Sequence, residues 1–208
     1  MAAILDIVFS IILGGMLLTI IINANDLTAE TTSIYGGDVL VQEMIIRQAQ
    51  FIESEFRNMG SGVTSGNPII TAASDSSITF WSAQSPGAAL SQIAYYTGPT
   101  SDLKSTENEL DRYLYRTVNG GSKLEVGVVT TFHLHYYRVN GDTLTPAAGA
   151  LLPVGSLGSI SEIELDMEVQ NPYAISRDPA LVQSGQRTAL YSSSFWQQMR
   201  VASRNFRR

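Results

Sequence analysis

Residues 2–24 read AAILDIVFSIILGGMLLTIIINA, an apolar run without lysine or arginine. About 20 consecutive apolar residues suffice for a helix to cross the hydrocarbon core of a bilayer. The run constrains everything after it: one segment suits lipid or other helices, and the rest must fold in water. A secretory signal combines a basic start, a shorter apolar stretch and a small-residue cleavage site. Here the basic start is missing and the apolar stretch is long, so the segment reads as a retained anchor. The first basic residue is Arg47, and Asp26, Glu30 and Asp38 precede it. Lysine and arginine hold a flank in the cytoplasm, whereas acids contribute little. The C-terminal part is therefore expected outside.

Asp6 stands inside this run. A carboxylate costs about 2.5–3.5 kcal/mol at mid-membrane and less toward an end. Asp6 either sits solvated at the interface or meets a cation. No lysine or arginine lies within reach, so the nearest cation is an α-amino group, its own or a neighbour's. Gly14 and Gly15 fall mid-segment. Each costs about 1 kcal/mol in a helix relative to alanine. The pair marks a close approach of helices, a place of local unwinding, or a tolerated patch of small residues.

No proline occurs before Pro68, so the helix is free to continue past the apolar run. Val41, Ile45, Ile52, Phe56 and Met59, with Gln48 and Ala49 between them, recur at helical spacing and predict one buried stripe seated on a head. Glu43–Arg47 and Glu53–Arg57 are i,i+4 pairs in the favoured order. Gly60-Ser61-Gly62 supplies a stop. The polar stretch NDLTAETTSIYGG joins the two halves, and Gly36-Gly37 is a candidate kink or break. Uninterrupted, such a helix would be a rod of roughly 85 Å. The chain divides into an apolar helix (1–24), an amphipathic continuation (25–61) and a β-rich head (62–208).

Within the head the pattern changes to period two. Strands are expected at 78–83, 92–98, 112–118, 128–139, 160–169 and 193–203, with hairpin chemistry at Asn119-Gly120-Gly121 and Asn140-Gly141-Asp142. Helix first and a strand meander after it imply an α+β layer, with an antiparallel β-sheet under the amphipathic half. Ile163, Leu165, Met167 and Val169 alternate with Glu162, Glu164, Asp166 and Glu168. Near the C-terminus, Phe195, Met199 and Val201 alternate with Gln198, Arg200 and Arg204. Pairing of these strands would set acids opposite bases. Such a face docks another subunit or is a solvated surface with internal ion pairs.

Little points to catalysis. The 208 residues include no cysteine, which removes thiolate chemistry and thiolate metal sites, and the net charge of -6 lacks the basic footprint of a nucleic-acid binder. His133 and His135 share one strand face but have no third ligand at metal-site spacing. Asp102, Glu107, Glu109 and Asp111 lack the oxygen-ligand spacing of an EF-hand. Ser192-Ser193-Ser194 has no nearby histidine, and no nucleotide-binding or hydrolase motif occurs. Trp81, Tyr95, Tyr96 and Trp196 suit sheet packing, with a ligand-stacking surface the lesser reading. The expectation is a non-enzyme without cofactor, metal, nucleic acid or small-molecule substrate.

With ILDIVFSIILGGMLL followed by VQEMIIRQAQFIESEFRNMG, the chain resembles the type IV pilin superfamily, which includes the pseudopilins of type II secretion. The head is most similar to J-type pseudopilins and W-type minor pilins, through ITFW, IAYY, LYRTVNGG, VVTTFHLHYYRVNGDTL and MRVASRNF. Identity is low, but the likeness runs in order along most of the chain. It implies a structural subunit of a pilus-like filament that assembles through its N-terminal helix with copies of itself or with other pilins. It also implies residence in the inner membrane, head outside, before assembly into a cell-surface or periplasm-spanning filament. A minor pseudopilin of a secretion or pilus machine, and a monomeric single-pass anchored binding protein, are the alternatives. In this family an acid near position five pairs with the N-terminal amine of a neighbouring subunit, and the resemblance carries that role to Asp6. Asp6 is aspartate where glutamate is usual. Removal of Met1 would make it the fifth residue, whereas retention leaves it one position off. The family's basic leader, cut after a glycine, does not stand ahead of Ala2, which fits either a mature sequence or a chain never processed that way.

Overall fold

The computed structural model describes residues 2–85, 87–104, 106, 108–147, 149–171, 193–203 and 205–206. One helix, α1 (Ala2–Arg57), runs without a break for 56 residues. Gly36-Gly37 does not interrupt it. The Thr19, Thr28 and Thr31 hydroxyls donate back to the carbonyls of Gly15, Ala24 and Leu27 at 2.7–2.9 Å, which satisfies them inside the helix. Glu43–Arg47 and Glu53–Arg57 form on its solvent side at 2.5 and 2.6 Å. Such exposed pairs contribute about 0.3–0.5 kcal/mol each. Gly60 and Gly62, both at φ +78°, turn the chain out of the helix and into the head.

The head holds two antiparallel sheets. The first is a meander of β1 (Ile70–Ala73), β2 (Ser77–Ala83), β3 (Leu90–Thr97), β4 (Arg112–Val118) and β5 (Leu124–Val129), in chain order. The second contains β6 (Thr131–Arg138), β7 (Thr143–Leu144), β8 (Ile160–Gln170) and β9 (Ser194–Val201), in the order β7-β6-β8-β9. A short helix, α2 (Val154–Leu157), precedes β8. The run 128–139, expected as one strand, is divided at Thr130. Both the amide and the hydroxyl of Thr130 donate to the Glu168 carbonyl, at 2.8 and 3.1 Å. That redirects the chain from β5 in the first sheet to β6 in the second.

A single core joins α1 to both sheets. Val41, Ile45, Ala49, Ile52, Phe56 and Met59 are all buried, Ile52 and Met59 completely. Met59 lies just past the helix end, in the turn that leaves it. The Phe56 ring stands edge-on to Phe80 and Tyr95, each with centroids 5.7 Å away. Each such contact contributes about 0.5–1.5 kcal/mol beyond its buried area. Gly127 of β5 has a reason to be glycine: an added Cβ would lie 1.8 Å from the Gln48 amide nitrogen, so only a bare backbone lets the helix come this close.

Charge is buried in this core as well. Glu55 of α1 accepts from Arg116 Nε and Nη2 of β4 at 2.9 and 2.6 Å and from the Tyr95 hydroxyl. Its side chain is only 16% exposed and that of Arg116 11%. Charges this far from water are tolerated only when paired with good geometry, and removing one partner costs about 3–5 kcal/mol. Glu55→Ala should therefore destabilise the head by about that amount in urea unfolding of the detergent-solubilised chain, far more than Glu43→Ala on the exposed face.

Burial, and next the Glu55 carboxylate, pushes the Tyr95 phenol far above its ordinary value; burial, and next Asp75, does the same to Tyr136. These phenols stay protonated in the fold and ionise near their ordinary value of about 10 once unfolded. Their contribution is fully present below that pH and is lost above it, since only the unfolded chain then releases the proton. Stability should fall as pH rises from about 10, and tyrosinate absorbance from this pair should appear only together with loss of tertiary structure.

Candidate functional site

The core releases α1 abruptly. Every described side chain from Ile4 through Ser33 is exposed, and burial begins at Ile34 and Gly37. The exposed part is a rod of roughly 45 Å. It outlasts the apolar run, because the polar stretch from Asp26 to Ser33 also stands clear of the head. Thirteen large apolar side chains from Ile4 to Ile22 are 49–69% exposed. The helix is long and apolar enough to cross a membrane, by length and composition. Removing these side chains from water is worth on the order of 20 kcal/mol, at about 1.5 kcal/mol each. That demand can be met by lipid or by other helices, and the head does not meet it.

Asp6 is exposed on this rod, in its second turn. Among the described residues it forms no ion pair, and no basic residue precedes Arg47. Gly14 and Gly15 also face open space, with nothing within 4 Å of an added Cβ at either position. They form a shallow stretch of an otherwise bulky surface, where a second backbone can come near.

Where the rod enters the head, a polar junction holds it. Asn171, fully buried, lies against Gly37: an added Cβ there would stand 2.6 Å from the Asn171 side-chain oxygen. Asn171 Nδ2 donates to the Ile34 carbonyl at 3.0 Å and to Asp38 Oδ1 at 2.7 Å. The Ser193 hydroxyl donates to the same Asp38 oxygen at 2.6 Å, and the Asn171 amide donates to the Ser193 carbonyl at 3.0 Å. Sequence patterning does not single out this group. The one signal available is that Asp38 continues the stripe of Val41 and Ile45 at helical spacing, where a solvated acid would be out of place.

The acidic face of β8 is held largely within the chain. Arg200 pairs with Glu162 at 2.5 Å and stacks over the Tyr137 ring at 4.1 Å. Gln198 and Tyr137 donate to Glu164 at 2.8 and 3.3 Å. His135 Nε2 lies 3.3 Å from Asp166, and Thr131 donates to Glu168 at 3.2 Å. Arg204 lies outside the described residues, as do Glu107 and Ser192. His133 and His135 are both exposed on this sheet face, and among the described residues no three of His, Asp and Glu gather as a metal site.

Gly37→Ala should loosen the junction by about 1–3 kcal/mol, the usual range for overpacking. Faster amide exchange between Ile34 and Val41, with the strands of the first sheet unchanged, would report it.

Compared with known proteins, the chain matches no family model, no curated protein and no solved structure.

Proposed function

We propose that this chain is a structural subunit of a type IV pilus-like filament, anchored in the inner membrane by α1 with its head outside and drawn from there into a helical assembly. The observation that carries the reading is the exposed rod: an apolar run interrupted by the carboxylate of Asp6 and a pair of glycines, continuous with a folded head. A simple membrane anchor needs the apolar surface but not the carboxylate, which hydrocarbon penalises. In an assembly, Asp6 of one subunit meets the N-terminal amine of the next, and the cost of its burial is offset by pairing. Gly14 and Gly15 then let neighbouring helices approach. Each β8 carboxylate already has a partner within the chain, although only Glu162 has an arginine, and the reading puts the principal contact between subunits on the helices. It gives the protein no catalytic role.

The test is the carboxylate. Asp6→Ala should leave the subunit in the membrane and reduce filaments seen by electron microscopy of surface material at least tenfold, which corresponds to about 1.4 kcal/mol of lost pairing. Asp6→Glu should restore them. Gly14→Leu should also reduce assembly, although the isolated chain has room for the side chain. Filament yield unchanged in Asp6→Ala, or a wild-type chain found only as monomers, would sink the reading in favour of a monomeric anchored protein.

A further inference from the structure

The outer face of the first sheet, turned away from α1, carries three tyrosines in contact. Tyr96 of β3 and Tyr113 of β4 flank Tyr115 of β4, with centroids 5.6 and 5.7 Å from it and rings tilted by 40° and 41°. Strand alternation puts them there, because their chain neighbours Tyr95 and Leu114 are fully buried on the helix side. Lys123, which follows the turn between β4 and β5, lays its ammonium across the group. The nitrogen is 4.9 Å from the Tyr115 centroid and 5.9 Å from that of Tyr96. Among the described residues, Lys123 is held by these rings and not by an ion pair.

Two carboxylates border the rings. Tyr115 donates to Asp102 Oδ2 at 3.1 Å, and Glu125 is its register partner on β5. The Tyr115 phenol is pushed up to about 12, by burial first, then by the bond to Asp102 and the charges of Asp102 and Glu125. The phenol is thus neutral at physiological pH, and the field around it is negative. Ring faces carry negative charge of their own, so face and border both favour a cation.

We propose that Tyr96, Tyr113 and Tyr115 form a binding face for a quaternary alkylammonium group, with Lys123 as a tethered occupant that the ligand displaces. Tyr115 is 6% exposed, with Lys123 lying over it, and Tyr96 and Tyr113 are half-buried, while the lysine itself is exposed. A cation–π contact made by an exposed lysine is worth only about 0.5–1 kcal/mol, so the lysine is weakly held and its departure uncovers the central ring. A quaternary ammonium is the cation that aromatic faces recognise best, since it cannot donate hydrogen bonds and gives up less to water on binding. The lysine shows the charge and place of the ligand; its primary ammonium is a poorer fit than the group it stands in for. This inference is independent of whether the chain forms filaments.

The experiment uses the full chain in a maltoside micelle, which carries no ammonium group. Tetramethylammonium chloride is titrated against sodium chloride of equal ionic strength while the tyrosine-ring NMR resonances are followed. Saturable shifts confined to the Tyr96, Tyr113 and Tyr115 rings are expected with tetramethylammonium and not with sodium. Lys123→Ala, an exposed change, should tighten binding about two- to fivefold by removing the internal competitor. Tyr96→Phe should keep the affinity, whereas Tyr96→Leu should weaken it. No saturable shift in the wild-type chain, or affinity in Lys123→Ala equal to or below wild type, overturns the proposal and leaves the lysine as a surface clasp.

Discussion

An α-helix satisfies its backbone hydrogen bonds within itself, and on this property the rest of the structure depends. A strand entering hydrocarbon would leave its amides and carbonyls bare, whereas a helix can pass from one solvent to another with its backbone unchanged. Only the side chains must change, and they do. From Ile4 to Ile22 they are apolar apart from Asp6, Ser10 and Thr19; from Asp26 to Ser33 they are mostly polar all round; from Gly37 onward they divide into a buried stripe and a wet face. One unbroken helix therefore presents three kinds of surface in turn, and the head has only to grip its last third.

The grip combines apolar area with two polar anchor points. The stripe from Val41 to Met59 provides most of the burial, but an apolar stripe alone allows a helix to roll or slide by small amounts. Asp38, through Asn171 and Ser193, fixes one end of the buried part, and Glu55, through Arg116 and Tyr95, fixes the other. The anchors draw on different sheets. Asn171 and Ser193 flank β8 and β9 of the second sheet, while Tyr95 and Arg116 belong to β3 and β4 of the first. The helix thus ties together two sheets that the chain itself crosses between at Thr130.

The long helix and its stripe are legible in the sequence because their signal is periodic over many residues. Six strands are legible as well, through alternation and the glycine turns. What escapes is short or atypical. β1 is the alanine-rich ITAA, and β7 has two residues, too few to show a period; β5 starts at Leu124, four residues ahead of the run expected from 128, with Gly127 inside it. The division at Thr130 is invisible because residues 128–139 continue one β-like pattern; the switch depends on a carbonyl of β8, nearly forty residues away. Gly36-Gly37 illustrates the converse. A glycine pair suggests a break, yet Gly37 is a point of close packing for Asn171, and the helix runs through. Asp6, Gly14 and Gly15 stand out because they interrupt an apolar run. Glu55 sits at a stripe position between Ile52 and Met59, and a charge at such a position implies a buried partner, but only the fold identifies it as Arg116.

Rotation links the junction to the rod. Because α1 is continuous, its azimuth at Asp38 and Glu55 sets the azimuth of every residue up to Asp6. An apolar surface that covers the helix all round has little rotational preference in lipid, since no face is favoured over another. Asp6 and the Gly14-Gly15 pair do have a direction, and a neighbouring helix can use them only if that direction is reproducible from one subunit to the next. The buried hydrogen bonds at Asp38 and Glu55 restrict rolling in a way that interchangeable apolar contacts do not. In the assembly proposed above, the polar anchors inside the head would then determine where a carboxylate on the far end of the rod points.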